Sequence, residues 1–420
     1  MVNVLVVGSG GREHALSWKL SQSDLVDEVF VAPGNGGTLQ NIPIPVDDID
    51  ALANFAQEKS CFTVVGPEAP LANGLVDKFT EKGLPVFGPS KQAAQLESSK
   101  IWAKEFMKRN DIPTADFEIF DDAQKAKEFV STYEKQVVIK ADGLAAGKGV
   151  IVCSNNDEAN DAIDKILVKK EFGDAGSKII IEERIDGIEA SYIALCDGLV
   201  GIPMATSQDH KRAYDDDKGP NTGGMGAYSP TPVIDDKLGS VIQEEIIGKT
   251  ISSMTKEGIE FRGFLYAGIM IRDGRPYVLE YNVRMGDPEC QPILMRLDSD
   301  LFKYLKASSE GKLNDLPKIS WKDESAVCIV LASNGYPNSY PKGDEISGLD
   351  NISENSFVFH AGTKNEGGRI ISNGGRVLGV TALGSSLADA INNAYSVAEK
   401  IHWENKYQRS DIGKKGLSYL

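Results

Sequence analysis

Residues 278–292 read VLEYNVRMGDPECQP, and how this run is understood decides how the rest of the chain is understood. Its first half alternates like a buried strand, and a period of two places Glu280, Asn282 and Arg284 on one face. Asp287 and Glu289 follow within a few residues. A carboxylate, an amide and a guanidinium aimed at one volume make a hard-cation site beside an anion clamp. Magnesium takes oxygen ligands and keeps substrate phosphates in its shell, and arginine offers a planar fork matched to carboxylate or phosphate. The plain alternative is a strand end with ordinary surface charges, so the surrounding segments have to decide.

The nearest support lies upstream. Residues 123–190 read as a small separate unit: an amphipathic helix (AQKAKEFVSTYEKQ), a strand (VVIKADG), a glycine loop (LAAGKGV), a strand (VIVC), a helix (NDEANDAIDKILV) and a strand (KIIIEERI). The loop carries Gly143, Gly147, Lys148 and Gly149, with Lys140 on the strand before it. Glycines let backbone approach an anion and lysines neutralise it, so the loop resembles a flap over polyphosphate, against a plain hairpin. It is not a Walker loop, because Gly149 follows Lys148 and the spacing differs. The strand end Glu182-Glu183-Arg184-Ile185, with Glu189 beyond, can offer backbone groups and an apolar wall to an adenine and a carboxylate to a ribose, as many edge strands could. Before this unit, SSKIWAKEFMKRNDIPTA reads as a helix capped by Ser98 or Ser99 and closed by Pro113. Lys100 sits in its first turn, where the helix dipole does not favour a cation.

At the N-terminus, VNVLVV enters Gly8-Ser9-Gly10-Gly11, and helical spacing runs from Arg12 to Leu20. Strand, glycine turn and helix open a βαβ unit able to hold an anion at the helix start. The dinucleotide fingerprint is incomplete: Glu13 stands where a third glycine belongs, and Glu28 matches the ribose acid poorly. Further strands end in Pro33-Gly34-Asn35-Gly36-Gly37, in Gly66-Pro67-Glu68 and in Gly88-Pro89-Ser90. Open parallel sheets bind ligands at such carboxyl ends, although most glycines simply make turns. Between 204 and 233 the chain holds few core-building residues, so it is an ordered functional loop or a disordered one. Its cluster Asp209-His210-Lys211-Arg212 and the pair Gly223-Gly224 favour order. His210 has no companion histidine nearby and reads as a hydrogen-bonded loop residue. From about Ala326, short strands and one closing helix, SLADAINNAYSVAEKI, read as an α+β domain without clustered charges of catalytic type.

Length and composition limit the alternatives. At 420 residues the chain suggests two to four domains of about 100 to 200 residues each. Hydrophobic residues at 41% and charged residues at 25% fit a globular protein. The N-terminus lacks a basic leader and no run reaches membrane length, so neither a signal peptide nor a membrane partner is expected. Five scattered cysteines argue for a reducing compartment, the cytoplasm, over a disulfide framework or zinc site. A net charge of −16 argues against nucleic acid as a partner.

The strings GSGGREHAL, PGN, GPEAPL, KADGLAAGKGV, SQDHKR, GPNTGGMGAYSP, RMGDPE and NGGRVL stand in the order seen in the glycinamide ribonucleotide synthetases (phosphoribosylamine–glycine ligases) of the ATP-grasp superfamily. The chain resembles that family over essentially its whole length, in its monofunctional form. The resemblance implies an α/β and α+β multidomain fold. A Rossmann-like domain would span 1–102. A central ATP-grasp domain would take 103–122 and 191–325, with its lid at 123–190, and a C-terminal domain over 326–420 would pack on the first. ATP would lie between two antiparallel sheets. The implied reaction joins glycine to 5-phospho-β-D-ribosylamine through an acyl phosphate, with ATP as co-substrate and magnesium, or manganese in its place, as the metal. Such chemistry needs positioning and charge neutralisation more than a protein nucleophile.

Residue by residue, the resemblance implies that Glu280 and Asn282 hold the metal, and that Lys100, Lys140 and the loop 143–149 hold phosphates. Glu182, Glu183 and Ile185 would face adenine, with Glu189 at ribose. Arg284 would stabilise the transferring group, Asp209 and Lys211 would contact glycine and the ribosylamine, and Gly10, Gly11, Asn35, Gly36, Glu68 and Asp287 would receive the phosphoribosyl substrate. The strand before the metal strand, FLYAGIMI, carries no carboxylate, a departure from many ATP-grasp enzymes that puts a second magnesium in doubt. A monomer or weak homodimer is expected. The competing readings are another purine-pathway ATP-grasp ligase, against which only RMGDPE and SQDHKR argue; a nicotinamide dehydrogenase, which leaves the lysine loop and the magnesium strand unused; and an inactive nucleotide-binding scaffold, which leaves a full ligand set unexplained.

Overall fold

The computed structural model describes residues 1–144, 149–350 and 352–420. Strands Val26–Pro33, Val2–Gly8, Cys61–Val65 and Val86–Phe87 form a parallel sheet in that spatial order. Helix Gly11–Leu20 follows the glycine turn, as expected for a βαβ start. The turn is nevertheless closed to a dinucleotide. Glu13, 2% exposed, turns its carboxylate back to accept from the Gly10 N–H (2.6 Å) and from Arg12 Nε (2.5 Å). A Cβ at Gly8 or Gly66 would collide with the Glu13 side chain, so these glycines make room for a carboxylate. A buried anion already occupies the place of a pyrophosphate.

Two antiparallel sheets follow. The lid sheet runs Phe117–Phe120, Ile179–Glu183, Val137–Ala141, Val150–Cys153; the central sheet runs Gly201–Pro203, Ile188–Asp197, Arg262–Arg272, Arg275–Asn282. Strand Phe117–Phe120 thus belongs to the lid sheet, ahead of the lid start expected at 123. The lid buries its own apolar cluster, including Ala126, Ile139, Ile163 and Ile181. The parallel and central sheets instead share two clusters: Leu5 and Val7 pack with Tyr192 and Tyr281, and Val4 and Leu16 with Phe264, Ile293 and Phe359. A unit with a separate core can shift as a body with little repacking elsewhere.

The third large sheet runs Gln208–Asp209, Gly226–Ser229, Ser325–Ser333, Arg376–Gly384, Ser356–His360. Its first two strands come from the glycine-rich middle segment, so the C-terminal sheet reaches back across the boundary expected at 326. The reason is apolar: Met225, Ala227 and Tyr228 are fully buried, although the segment as a whole is poor in core residues. The chain also continues past helix Leu387–Ala398, adding strand Lys406–Tyr407 to the edge of Ser325–Ser333 and helix Lys414–Leu417. All five cysteines are free and buried. Among the described residues no helix is long and apolar enough to cross a membrane.

The first and last units meet through buried polar groups. Asn35, 7% exposed, donates through Nδ2 to Ser9 O (2.9 Å) and His360 O (2.8 Å), and its Oδ1 accepts from the Gly37 N–H (2.9 Å). The Gly36 N–H donates to Thr363 O at 3.2 Å. Both residues, expected to receive substrate, are used up in joining the two units. His14 Nδ1 accepts from the His360 N–H at 2.8 Å. Burial, with His360 close by, drops the His14 pKa to about 3, and burial drops that of His360 to about 4.

Both histidines are neutral in the fold, whereas histidines of the unfolded chain take up protons below about pH 6.5. Their contribution to stability is therefore complete above that pH and is lost as pH falls towards the folded values, at about 1.4 kcal/mol per pH unit for each histidine. We expect His14→Gln to flatten the acid-side slope by about one histidine's share. Urea denaturation midpoints at about pH 7 and about pH 5 measure it, and an unchanged slope would refute the assignment.

Candidate active site

A cleft of about 440 Å³ opens between the lid and central sheets, and the first and last units complete its wall. That volume falls within the range of about 300 to 1,000 Å³ typical of ligand pockets. Its floor is strand Arg275–Asn282, and the strand is irregular at the decisive point. Gly268 pairs with Glu280 and Ile269 with Val278, so Leu279 is bulged out of register. The bulge lets Val278 and Tyr281 both enter the core while Glu280 and Asn282 line the cleft. It also aims the Leu279 carbonyl at Lys140 Nζ, 2.9 Å away. Simple alternation does not run through to Arg284, which lies past the strand end yet lines the same cleft.

Arg284 is not an open fork. Its Nη2 pairs with Glu97 (2.8 Å), its Nε with Glu68 (3.3 Å), and its Nη1 donates to Met285 O (3.3 Å). Burial opposes the guanidinium charge, but Glu97 and Glu68 more than offset it and hold the pKa above its ordinary value. Glu68, expected at the phosphoribosyl substrate, therefore steers Arg284. Glu97 was not anticipated. It lies in a short helix, Gln95–Ser98, and its other oxygen accepts from the Val283 N–H at 2.8 Å. A buried acid ahead of a capped helix gave no signal in the sequence.

The lysines follow the same rule. Glu182, 3% exposed, lies between Lys140 (3.0 Å) and Lys104 (3.2 Å). Its strand is second in the lid sheet, with Phe117 paired on one side and Val138 on the other. The strand's backbone groups are consumed by its neighbours, so Glu182 offers no free edge to an adenine and acts as the holder of two lysines. Glu183 holds Lys135 (2.7 Å) and Arg272 (3.4 Å) outside the cleft. Ile185 lies buried beyond the strand. Lys104 also donates to Thr114 Oγ1 at 2.7 Å, and burial, against the pull of Glu182, brings its pKa to about 8. Its spacing of four from Lys100, one helical turn, could have marked it in the sequence.

Lys100 is explained by its surroundings. The Ser99 hydroxyl caps the helix by accepting from the Trp102 N–H, and Asp142 accepts from the Ile101 N–H at 3.2 Å. Lys100 Nζ donates to Gly143 O at 2.8 Å, at the base of the glycine loop. Gly149 lines the cleft, while Gly147 and Lys148 lie outside the described residues. Lys211 pairs with Glu189, and its Nζ lies 3.9 Å from Glu280. Glu189, expected at ribose, thus holds a lysine. Burial raises the Asp209 pKa well above the usual carboxylate range, against the pull of Lys211. Burial opposes charge on Glu280 too, but Lys211, Lys140, Lys100 and Arg284 keep its pKa below the ordinary value. Among the described residues no three His, Cys, Asp or Glu side chains gather as a metal-ligand group.

The C-terminal unit, expected to lack clustered charges of catalytic type, supplies part of the wall. Arg376 donates to Gly223 O (2.6 Å) and Asp287 O (2.5 Å), and its Nη2 lies 3.4 Å from the Asp287 carboxylate. A Cβ at Gly223 would sit 2.9 Å from the Arg376 Cζ, which accounts for that glycine. Asp287 Oδ1 also accepts from Gln291. Gly10 and Gly11 do not open onto a free anion pocket: the Gly10 N–H is given to Glu13, and Gly11 packs on Gln291.

Paired antiparallel sheets enclosing a lysine-lined cleft, with two oxygen donors on the floor strand, define an ATP-grasp protein. Family models described as the N, ATP-grasp (A) and C domains of phosphoribosylglycinamide synthetase match residues 2–97, 98–290 and 326–415. The chain is 51% identical, over 99% of each sequence, to the phosphoribosylamine–glycine ligase of Vibrio vulnificus strain YJ016. It is 36% identical to the crystallised ligase of that name from Thermotoga maritima, with a TM-score of 0.84 over 98% of this chain and 100% of that one. The biotin carboxylase domain of Hydrogenobacter thermophilus 2-oxoglutarate carboxylase, crystallised with MgADP, shares the fold at 16% identity and a TM-score of 0.72, over 97% of this chain and 91% of that one. The chain belongs to the phosphoribosylglycinamide synthetase family.

Truncating one partner of a buried ion pair leaves the other charge uncompensated, which costs about 3 to 5 kcal/mol. We expect Glu97→Ala to lower stability by about 3 kcal/mol, the low end of that range, because the Val283 N–H loses its acceptor while Arg284 keeps only its longer contact to Glu68. Chemical denaturation checks this, and a loss below about 1 kcal/mol would show that the pair behaves as a surface one.

Proposed function

We propose that the chain ligates glycine to 5-phospho-β-D-ribosylamine with ATP, releasing glycinamide ribonucleotide, ADP and phosphate. The observation that carries this reading is a cleft at the junction of the lid, central, first and last units in which Lys104, Lys140, Lys211 and Arg284 rest on carboxylates and Lys100 on the Gly143 carbonyl. A carboxylate is a poor acyl donor. A glycine carboxylate oxygen bonds to the γ-phosphorus while the bond from that phosphorus to the bridging oxygen breaks, so ADP leaves and glycyl phosphate remains. The ribosylamine nitrogen then bonds to the carbonyl carbon, the carbon–oxygen bond to phosphate breaks, and the nitrogen loses a proton. Asp209 lines the cleft beside Lys211, placed to contact the reacting ends.

Lys100 and Lys140 receive the phosphates, as Gly143 and Gly149 and the lysine loop do in this reading. Glu182 keeps Lys140 and Lys104 extended into the cleft, and Ile185 packs near the base. Arg284, fixed by Glu68 and Glu97, meets the transferring group with its geometry already set; such pre-positioned charge stabilises a transition state more than a ground state. Lys211 and Asp287 contact the glycine and phosphoribosyl ends. Glu280 and Asn282 fit a magnesium ion as a partial oxygen set: Glu280 is held ionised, and the Lys211 ammonium already stands beside it. Bound there, the ion would neutralise phosphate charge.

We expect Glu280→Gln and Asn282→Ala to fold normally and to need about tenfold or more magnesium for half-maximal turnover, measured as ADP release with glycine and freshly made phosphoribosylamine. Normal magnesium dependence in both would remove the metal assignment. Arg284→Lys should lose about 10³-fold in turnover while binding ATP by calorimetry as before. Turnover within a few-fold would exclude the role given to its fork.

A further inference from the structure

The segment that runs from strand Gln208–Asp209 through Lys211 is tied at its far end to the last residues of the chain. Strands Arg212–Tyr214 and Lys218–Asn221 form a hairpin. At its root, the Thr222 N–H and hydroxyl both donate to Lys211 O, at 2.8 and 2.9 Å. At its tip, Asp216 and Asp217 adopt φ of 58° and 52°, a left-handed turn that non-glycine residues hold only when their surroundings insist on it. Here the surroundings are residues 407–415.

Arg409 is 1% exposed. It forms a bidentate pair with Asp411 (both contacts 2.7 Å), and its Nη1 donates to Arg212 O (2.9 Å) and Asp217 Oδ1 (3.1 Å). The Asp216 N–H donates to Asp411 Oδ2 at 2.9 Å. The Ser410 N–H donates to Asp215 at 2.8 Å, and Lys415 Nζ pairs with Asp217 at 2.7 Å. Tyr407 O–H donates to Ala213 O, and the Gly413 N–H to His210 Nε2 at 3.3 Å. Every turn of the segment from His210 to Asp217 is therefore held from the tail, and Arg212 O, the carbonyl next to Lys211, is held by the most deeply buried guanidinium of the network.

Resting on the ligase reading, we propose that Arg409 is a positioning residue, which with Asp217 and Asp411 sets the reach of Lys211 and Asp209 into the cleft. It touches no substrate. A tail that only stapled the fold together would gain nothing from a bidentate arginine beneath a strained turn on a segment that lines the site. The nucleotide end of the cleft, around Lys100 and Lys140, lies on other elements and should not notice its loss.

The test uses the full chain with Asp217→Asn, whose site is half exposed so that folding is not at stake, and Arg409→Lys, which keeps the charge but loses the fork. In both folded variants we expect kcat for glycinamide ribonucleotide to fall about tenfold. The ATP dissociation constant should stay within about twofold, and amide exchange across 209–223 should quicken. A structural staple alone would lower the unfolding midpoint and leave kcat of the folded protein alone. Unchanged kcat, or unchanged exchange in that segment, overturns the proposal. If the wild-type chain makes no product, the ligase reading falls, and exchange across 209–223 still decides whether the tail holds the loop.

Discussion

Cations gathered in a low-dielectric cleft repel one another and resist desolvation, and the molecule is arranged around the need to hold them there without substrate. Most are set against acid: Lys104 and Lys140 on Glu182, Arg284 on Glu97 and Glu68, Lys211 on Glu189 with Glu280 beyond, while Lys100 rests on the Gly143 carbonyl. Unpaired, such charges would shift their pKa values or leave the site. Paired, they remain extended and available for phosphate oxygens, whose arrival exchanges one anion for another. A chain of net charge −16 can bind a polyanion because its positive charge is concentrated where four units converge.

The same requirement explains the joints. Arg12 links the glycine turn to the cleft loop by donating to Met285 O at 3.2 Å, and Glu13 fills the anion hole that a dinucleotide would use. Asn35, Gly36 and the His14–His360 pair then fasten the first unit to the last, so that Arg376 reaches Gly223 and Asp287 from the far side. The lid, with its own apolar cluster, stands apart from this assembly. A frame of three joined units and a separately cored lid suit a ligase that must keep water from its reacting groups.

Much of this was legible in the residues before any fold was seen. The βαβ start, the capped helix at Lys100, the lid strands and the oxygen pair Glu280 and Asn282 all follow from local rules of period, capping and turn chemistry. These rules act within about ten residues, so sequence suffices for them. The ordered motifs GSGGREHAL to RMGDPE carried the resemblance that the family models match.

What only the tertiary structure decided concerns partners far apart in the chain. No local rule links Glu97 to Arg284, Arg376 to Asp287, or Arg409 to the loop after Lys211, since each pair is brought together by sheet order and packing. The bulge at Leu279 arises because Val278 and Tyr281 both need the core, which strict alternation cannot satisfy. Glu182, Glu189, Asn35 and Gly10 stand out in the sequence, but the sequence shows only that a polar group is present. Whether such a group is free for a ligand or spent on a neighbour depends on which strand is central and which residue lies across the cleft, and those distances exist only once the chain is folded.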